Sequence, residues 1–264
     1  MKAVCFRRGI APSARRPLAL LLLALLGTGA GLWPRAGLAA QFTLAPTRVH
    51  LAAGQVAQTL VLGNEEAREV SFELSFQRWR MDEHAQWLLE PSDDLILHPQ
   101  IVTVPGNGKA VIRVGTLRTQ LAQEQAYRIQ MQELPGERDT QGAAVAMLTR
   151  ISVPVFVQVA KPELMLTLDA AVLARDALTV RLSNTGSRYL SPEDARLIVR
   201  DAGGKVLHED SIGVPYLLVG ARVVLSRPLT AEVCRQADAL ELVFPEAGLT
   251  RTLSLSGSAR TCGG

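Results

Sequence analysis

Residues 143–159 read AAVAMLTRISVPVFVQV, and their alternation decides the fold. The odd positions (Ala143, Val145, Met147, Thr149, Ile151, Val153, Val155, Val157 and Val159) are apolar apart from Thr149. The even positions, which include Arg150, Ser152, Pro154 and Gln158, are mixed. A period of two is that of a strand with one buried face. This run exceeds the usual strand of about five or six residues. Pro154 has no N–H to give to a ladder, which favours an edge strand or a bulge. The pattern leaves two readings open. One is an edge kept apolar for a partner that completes the sheet, since a bare apolar edge invites aggregation; the other is an ordinary core strand whose even face is half-buried.

Working outward, the same texture recurs in Val56–Leu62, Val70–Phe76, Ala177–Leu182, Arg196–Arg200 and Thr250–Leu255. Turn residues such as Gly63-Asn64 and Pro105-Gly106-Asn107-Gly108 separate the runs. The one segment that reads as a short helix is Thr230–Ala239. Many short strands favour an all-β chain of antiparallel sandwiches, with inward residues of paired sheets forming each core. A boundary is expected near Ala160-Lys161-Pro162-Glu163, because proline holds its predecessor extended. The expected domains are residues 41–161 and 162–264, each long enough for a sandwich of about 100 residues. No residue-level repeat relates the two halves.

The first forty residues read as a secretory signal. A basic stretch through Arg16 precedes the apolar run Leu18–Leu26, and Gly37-Leu38-Ala39-Ala40 offers a cleavage site. The apolar core falls short of the roughly 20 residues of a membrane span, and no later segment reaches that length. Arg15-Arg16 alone is a weak basis for a twin-arginine signal. Of the 28 Lys and Arg, six lie in residues 1–40, which hold no Asp or Glu; the rest of the chain has 22 against 25 acidic residues. That balance gives no general electrostatic reason to bind nucleic acid. Export leaves Cys234 and Cys262 as a candidate disulfide pair in an oxidising compartment. Their spacing matches no metal motif.

The order of motifs resembles the PapD-like periplasmic pilus-assembly chaperones of the chaperone–usher pathway. The resemblance covers nearly all of the chain after the signal and is strongest between Leu44 and Val157. It rests on Pro46-Thr47-Arg48-Val49, Leu62-Gly63-Asn64, Pro99, Val104–Lys109 leading to Val111–Val114, Ala126-Tyr127-Arg128-Ile129 with Gln132-Glu133-Leu134-Pro135, and Thr149–Val155. Tyr216-Leu217-Leu218-Val219-Gly220 fits the divergent branch that assembles archaic-type pili. The resemblance implies two immunoglobulin-like sandwiches in a boomerang, no enzymatic activity and no cofactor. The implied partners are pilin subunits, each completed by a strand lent from the chaperone, and an outer-membrane usher. It places the chain in the periplasm and raises self-association of unloaded copies through the free edge.

The site residues implied are those of the lending strand and of a carboxylate anchor. Val145, Met147, Thr149, Ile151 and Val153 would enter the pilin groove. Arg48 falls at the position of the family's anchoring Arg, whereas Ser152 stands where the better-known branch has Lys. Arg128 is the preferred second cation, with Arg150 and Arg113 behind it. An arginine can clamp a carboxylate through paired, charge-assisted hydrogen bonds. Glu133 is expected in a buried ion-pair network between the domains.

The alternative is an exported adhesion or carbohydrate-binding module, in which Trp79 and Trp87 could stack on a sugar although paired strand aromatics more often fill a core. An exported hydrolase lacks its signals: no Gly-x-Ser-x-Gly or phosphate loop occurs. His50, His84, His98 and His208 are scattered, and Asp93-Asp94 reads as turn chemistry.

Overall fold

A computed structural model describes residues 42–118, 121–136, 147–174, 177–256 and 258–262. The expected signal, residues 1–40, lies outside the described residues, as does Val145. Among those described, no helix is long and apolar enough to cross a membrane.

Strands β1 (Phe42–Ala45), β2 (Val49–Leu51), β3 (Ala57–Asn64), β4 (Val70–Met81), β5 (Trp87–Glu90), β6 (Leu95–His98), β7 (Ile101–Val104), β8 (Lys109–Thr116), β9 (Gln125–Glu133) and β10 (Arg150–Val157) build the first pair of sheets. One sheet has the order β1-β3-β8-β6. The other runs β2-β10-β9-β4-β5, with β7 also on β4. The alternation read from the sequence is what closes this sandwich. Leu60, Leu62, Ile112 and Val114 point in from one sheet, and Phe72, Tyr127, Ile129, Met131, Val153 and Val155 from the other. Each such side chain, fully withdrawn from water, contributes about 1.5–3 kcal/mol.

Strands β11 (Leu166–Ala174), β12 (Ala177–Asn184), β13 (Glu193–Arg200), β14 (Val206–Val214), β15 (Arg222–Pro228), β16 (Ala239–Phe244), β17 (Leu249–Ser254) and β18 (Ala259–Thr261) build the second pair. Their orders are β15-β12-β11-β18 and β14-β13-β16-β17. The helix read at Thr230–Ala239 is present as α1 (Ala231–Gln236), with the Thr230 hydroxyl capping the Val233 N–H. Cys234 of α1 and Cys262, just past β18, form a disulfide with Cα atoms 5.7 Å apart. The two sandwiches belong to one compact unit. Trp79, Ala126 and Phe156 of the first lie in one apolar cluster with Leu217, Leu218 and Val223 of the second.

Asn64 fixes the corner after β3. Its side-chain amide donates to the carbonyls of Arg68, Val104 and Pro105, and its Oδ1 accepts the Glu66 N–H. Gly106 packs so tightly on this corner that a Cβ there would stand 2.0 Å from the Ala67 carbonyl oxygen. The loop carrying Arg68 is thereby held in one place.

The long apolar run forms a shorter strand than its pattern suggests. β10 begins at Arg150; Met147, Leu148 and Thr149 precede it outside any strand, although the Thr149 carbonyl still accepts the Glu133 N–H of β9. The expected free edge is also only partly free. β9 covers all of β10 on one side, and β2 covers Val155, Phe156 and Val157 on the other. Among the described residues, no strand pairs with that second side at residues 150–154. The reason is the length of β2: its three residues end the pairing opposite Val155.

Candidate functional site

Antiparallel pairing decides which backbone groups of β10 are spent. The Glu133 N–H donates to the Thr149 carbonyl, so odd residues of this strand form the hydrogen-bonded pairs with β9 and even residues point their N–H and C=O away. Arg150 and Ser152 therefore offer unspent ladder groups on the open side. Pro154, which lacks an N–H, stands where no donor is demanded.

Side chains divide the same way. The odd positions of β10 turn into the sandwich. Val153, 1% exposed, belongs to the chain's own core, and Ile151 packs against it. Val153 is thus corrected from a groove-filling residue to a core residue, because the facing sheet of its own sandwich already covers it. Met147 is 90% exposed, and with Thr149 it continues the same row beyond the sandwich.

The even face carries a gradient. Nearest the second sandwich are Phe156, Ala126 and Trp79, buried together. Next comes Arg128, opposite Pro154 on one side and Gln77 on the other. Beyond lie Ser152 with Gln130, then Arg150 with Gln132. The outer part of this face, with Leu89 and Pro91 as a wall, encloses a groove of about 510 Å³.

Arg128 is the unusual residue. It is only 6% exposed and pairs with no carboxylate among the described residues; its Nε has no hydrogen-bond partner. Its guanidinium lies 3.9 Å from the Trp87 ring centroid and 4.7 Å from that of Trp79. Aromatic faces attract a cation without neutralising it. Burial pulls its pKa down, with Tyr216 opposing. A buried, unneutralised cation is costly unless something supplies the counter-charge.

Arg48, between β1 and β2, approaches the same aromatic cluster from the other side. It donates to the Ser191 Oγ at 3.1 Å, and its guanidinium lies 5.7 Å from the Tyr216 ring centroid. Tyr216 in turn packs edge-on to Trp79 at 5.1 Å. His50 joins this cluster through its Nε2, 2.9 Å from the Tyr189 hydroxyl. Burial, aided by the neighbouring Arg48, lowers its pKa and favours the neutral ring. Two arginines thus border one aromatic joint between the sandwiches.

Other expected residues lie elsewhere. Arg150 is four residues from Arg128 along the ladder, about 13 Å at strand rise, and its Nε donates to Gln132. It is therefore not part of the Arg128 pocket. Arg113 sits on β8, in the opposite sheet. Glu133 forms a buried ion pair, but within the first sandwich: Oε1 accepts from Arg68 at 2.9 Å and Oε2 from the Thr149 N–H at 2.8 Å. This corrects its expected place between the domains. Burial would raise its pKa, but the Thr149 N–H and Arg68 outweigh that and hold the carboxyl below its ordinary range.

The joint between the sandwiches uses a residue the sequence reading missed, Glu124. Its Oε1 accepts the Tyr189 N–H at 2.9 Å, and its own N–H donates to the Ser187 carbonyl. Burial pushes its pKa up to about 7. Its neighbours in sequence, Gln123 and Gln125, gave no sign of burial. Trp79 is buried and so offers no platform for sugar stacking, whereas Trp87, 47% exposed, turns one face to Arg128. No cluster of three His, Cys, Asp or Glu suited to a metal occurs among the described residues.

The family model of the pili and flagellar-assembly chaperones, PapD N-terminal domain, matches residues 41–162. No curated protein sequence matches the chain. Among solved structures, one from a chaperone–tip adhesin complex of CFA/I fimbriae biogenesis has a TM-score of 0.56 at 10% identity, covering 80% of this chain and 97% of that one. A chain of the Salmonella enterica SafA pilin complex with the SafB chaperone has a TM-score of 0.52 at 15% identity, covering 82% and 97%. The class 5 fimbriae chaperone CfaA gives 0.51 at 10% identity, covering 76% and 90%. At these identities the likeness is one of fold, two β-sandwiches in one chain.

Proposed function

We propose that the chain, whose residues 41–162 match the family model of the pili and flagellar-assembly chaperones, captures pilin subunits in the periplasm by lending them the segment that leads into β10. Residues 1–40 serve as the cleaved export signal in this reading, residues 41–161 bind the pilin, and residues 162–264 form the second domain. An outer-membrane usher receives the loaded complex. The chain performs no catalysis.

The observation that carries the reading is Arg128, a buried and unneutralised guanidinium beside a β10 edge that stays open from Arg150 to Pro154. A pilin's terminal carboxylate supplies the charge that Arg128 lacks, and Arg48 across the aromatic joint supplies a second cation. The backbone groups of Arg150 and Ser152 then extend a ladder to the incoming chain, as in strand addition generally. Val145, Met147 and Thr149 fill the pilin's apolar groove, while Ile151 and Val153 remain with their own core.

The test is co-expression with a strand-deficient pilin subunit and affinity purification of the complex. A hydrogen bond to a charged group is worth about 1.5–3 kcal/mol. Arg128→Ala and Arg48→Ala should therefore each lower recovery of the subunit by about tenfold or more. Both variants should keep the wild-type circular dichroism, because neither removes an ion pair. Wild-type recovery with Arg128→Ala would overturn the assignment.

A further inference from the structure

Glu133 occupies an odd place in the ladder. Its N–H donates to the Thr149 carbonyl, as a hydrogen-bonded antiparallel pair requires. The return bond is different: the Thr149 N–H goes to the Glu133 carboxylate, at 2.8 Å from Oε2. The Glu133 carbonyl instead accepts from the Gln132 side chain. A side chain has replaced its own backbone carbonyl as the acceptor. On the far side β9 stays attached to β4, since the Leu134 N–H still donates to Ser71. Only the β10 side is released at this point.

The replacement carboxylate is itself held. Glu133 is 2% exposed, and Oε1 is gripped by Arg68, which also pairs with Glu66. Arg68 stands on the corner that Asn64 fixes. The chain of contacts runs from Asn64 through the Arg68 loop to Glu133 and ends on one backbone amide, that of Thr149. Two residues further out, Met147 is almost wholly exposed.

We propose that Glu133 is a positioning residue for strand lending: its carboxylate pins the Thr149 amide and so fixes the last residue held in register before the lent segment leaves the sheet. This rests on the reading of residues upstream of β10 as the lent segment. Register matters there because a slip of one residue exchanges the two faces of a strand. With Thr149 pinned, Met147 continues the row of Ile151 and Val153. With a slip, Arg150 and Ser152 would be turned toward the apolar side.

The test uses the full unloaded chain, so it does not depend on whether a pilin is captured. Amide hydrogen exchange is followed residue by residue for the wild type, Glu133→Gln, Glu133→Ala and Arg68→Ala. Loss of one charge-assisted hydrogen bond, about 1.5 kcal/mol or more, should speed exchange at the Thr149 amide by about tenfold or more in Glu133→Ala. Glu133→Gln, which keeps an acceptor but not the charge, should show a smaller rise, and Arg68→Ala the smallest. The amides of Val153, Val155 and Tyr127 should keep wild-type rates. Unchanged exchange at Thr149 in Glu133→Ala would overturn the proposal. An equal rise throughout β9 and β10 in both Glu133 variants would overturn it too, since that marks a general structural role. Failure of pilin capture by the wild type would instead defeat the reading of function and leave the exchange result standing.

Discussion

Asn64 ends β3 and Asn184 ends β12, and the two make the same bonds. Each donates its side-chain amide to a carbonyl four residues on, Arg68 or Arg188, and to the carbonyl of a distant strand end or loop, Val104 or Leu217. Each accepts through Oδ1 the N–H two residues on, that of Glu66 or Gly186. From this shared corner the sandwiches diverge. In the second, β12 pairs along β11, β18 covers Val172, Leu173 and Ala174 on its other side, and the disulfide ties the C-terminal segment to α1. In the first, the corner's loop carries Arg68, Glu133 takes over the last ladder bond, and β10 keeps an unpaired stretch. The comparison shows that openness does not require a weak sandwich. It requires only that a neighbouring strand, here β2, stop early.

The contrast can be broken most forcefully at the disulfide. Closing a loop of 28 residues restricts the unfolded chain by about 3.6 kcal/mol. Replacing both Cys234 and Cys262 by Ser should lower stability by that amount in urea denaturation, with pilin capture by the folded protein unchanged. If capture fell in step with stability, the two sandwiches would not divide closure from binding as described.

Next in size is a pH effect at the joint. Glu124 titrates near 7 in the folded chain, above its ordinary 4.5, so between those values the folded state holds a proton that the unfolded state has released. Its contribution favours folding at and below pH 4.5 and is lost as pH rises through 7, by up to about 3 kcal/mol, an upper figure for a group that can draw in water. Glu133, held low by the Thr149 N–H and Arg68, acts oppositely and only under more acid conditions. Glu124→Gln should therefore flatten the fall in urea midpoint between pH 5 and 8 and stabilise the protein at pH 8. A slope unchanged by the substitution would place the titrating group elsewhere.

The corners themselves offer a smaller, matched pair. Asn64→Ala and Asn184→Ala each strand buried carbonyls, at a cost of about 2 kcal/mol. The sites are far apart and share no partner, so the double variant should show the sum. Only Asn64→Ala should also quicken Thr149 exchange, because only that corner supports Glu133.

The smallest effect on stability belongs to Met147→Asp. The side chain is almost fully exposed, so the change should fall within about 0.5 kcal/mol. Pilin capture should nonetheless collapse, because an unpaired charge would have to enter an apolar groove. Retained capture would move the lent residues away from Met147.

Much of this was legible in the sequence because its causes are local. Alternation over residues 143–159 marked a strand with one apolar face, and Val153, Val155 and Val157 are indeed buried in a row. Pro154 signalled an edge through a donor it does not possess. Asn64 and Gly106 marked a turn whose chemistry needs an amide and a missing Cβ. The α1 cap at Thr230 follows from its hydroxyl.

What the tertiary structure alone decided were partnerships between distant segments. Periodicity shows which face of β10 is apolar, but not that β2 covers its last three residues and none before them. Composition cannot reveal that Arg128 is folded against Trp79 and Trp87 with no carboxylate among the described residues to meet it, nor that Arg150 lies too far along the ladder to share its pocket. Glu133 and Glu124 look alike as letters; one is neutralised by Arg68, and the other is buried against Tyr189 with its proton close to balance. The strand pattern follows from each residue's own chemistry, whereas a charge takes its meaning from neighbours that only the folded chain brings near.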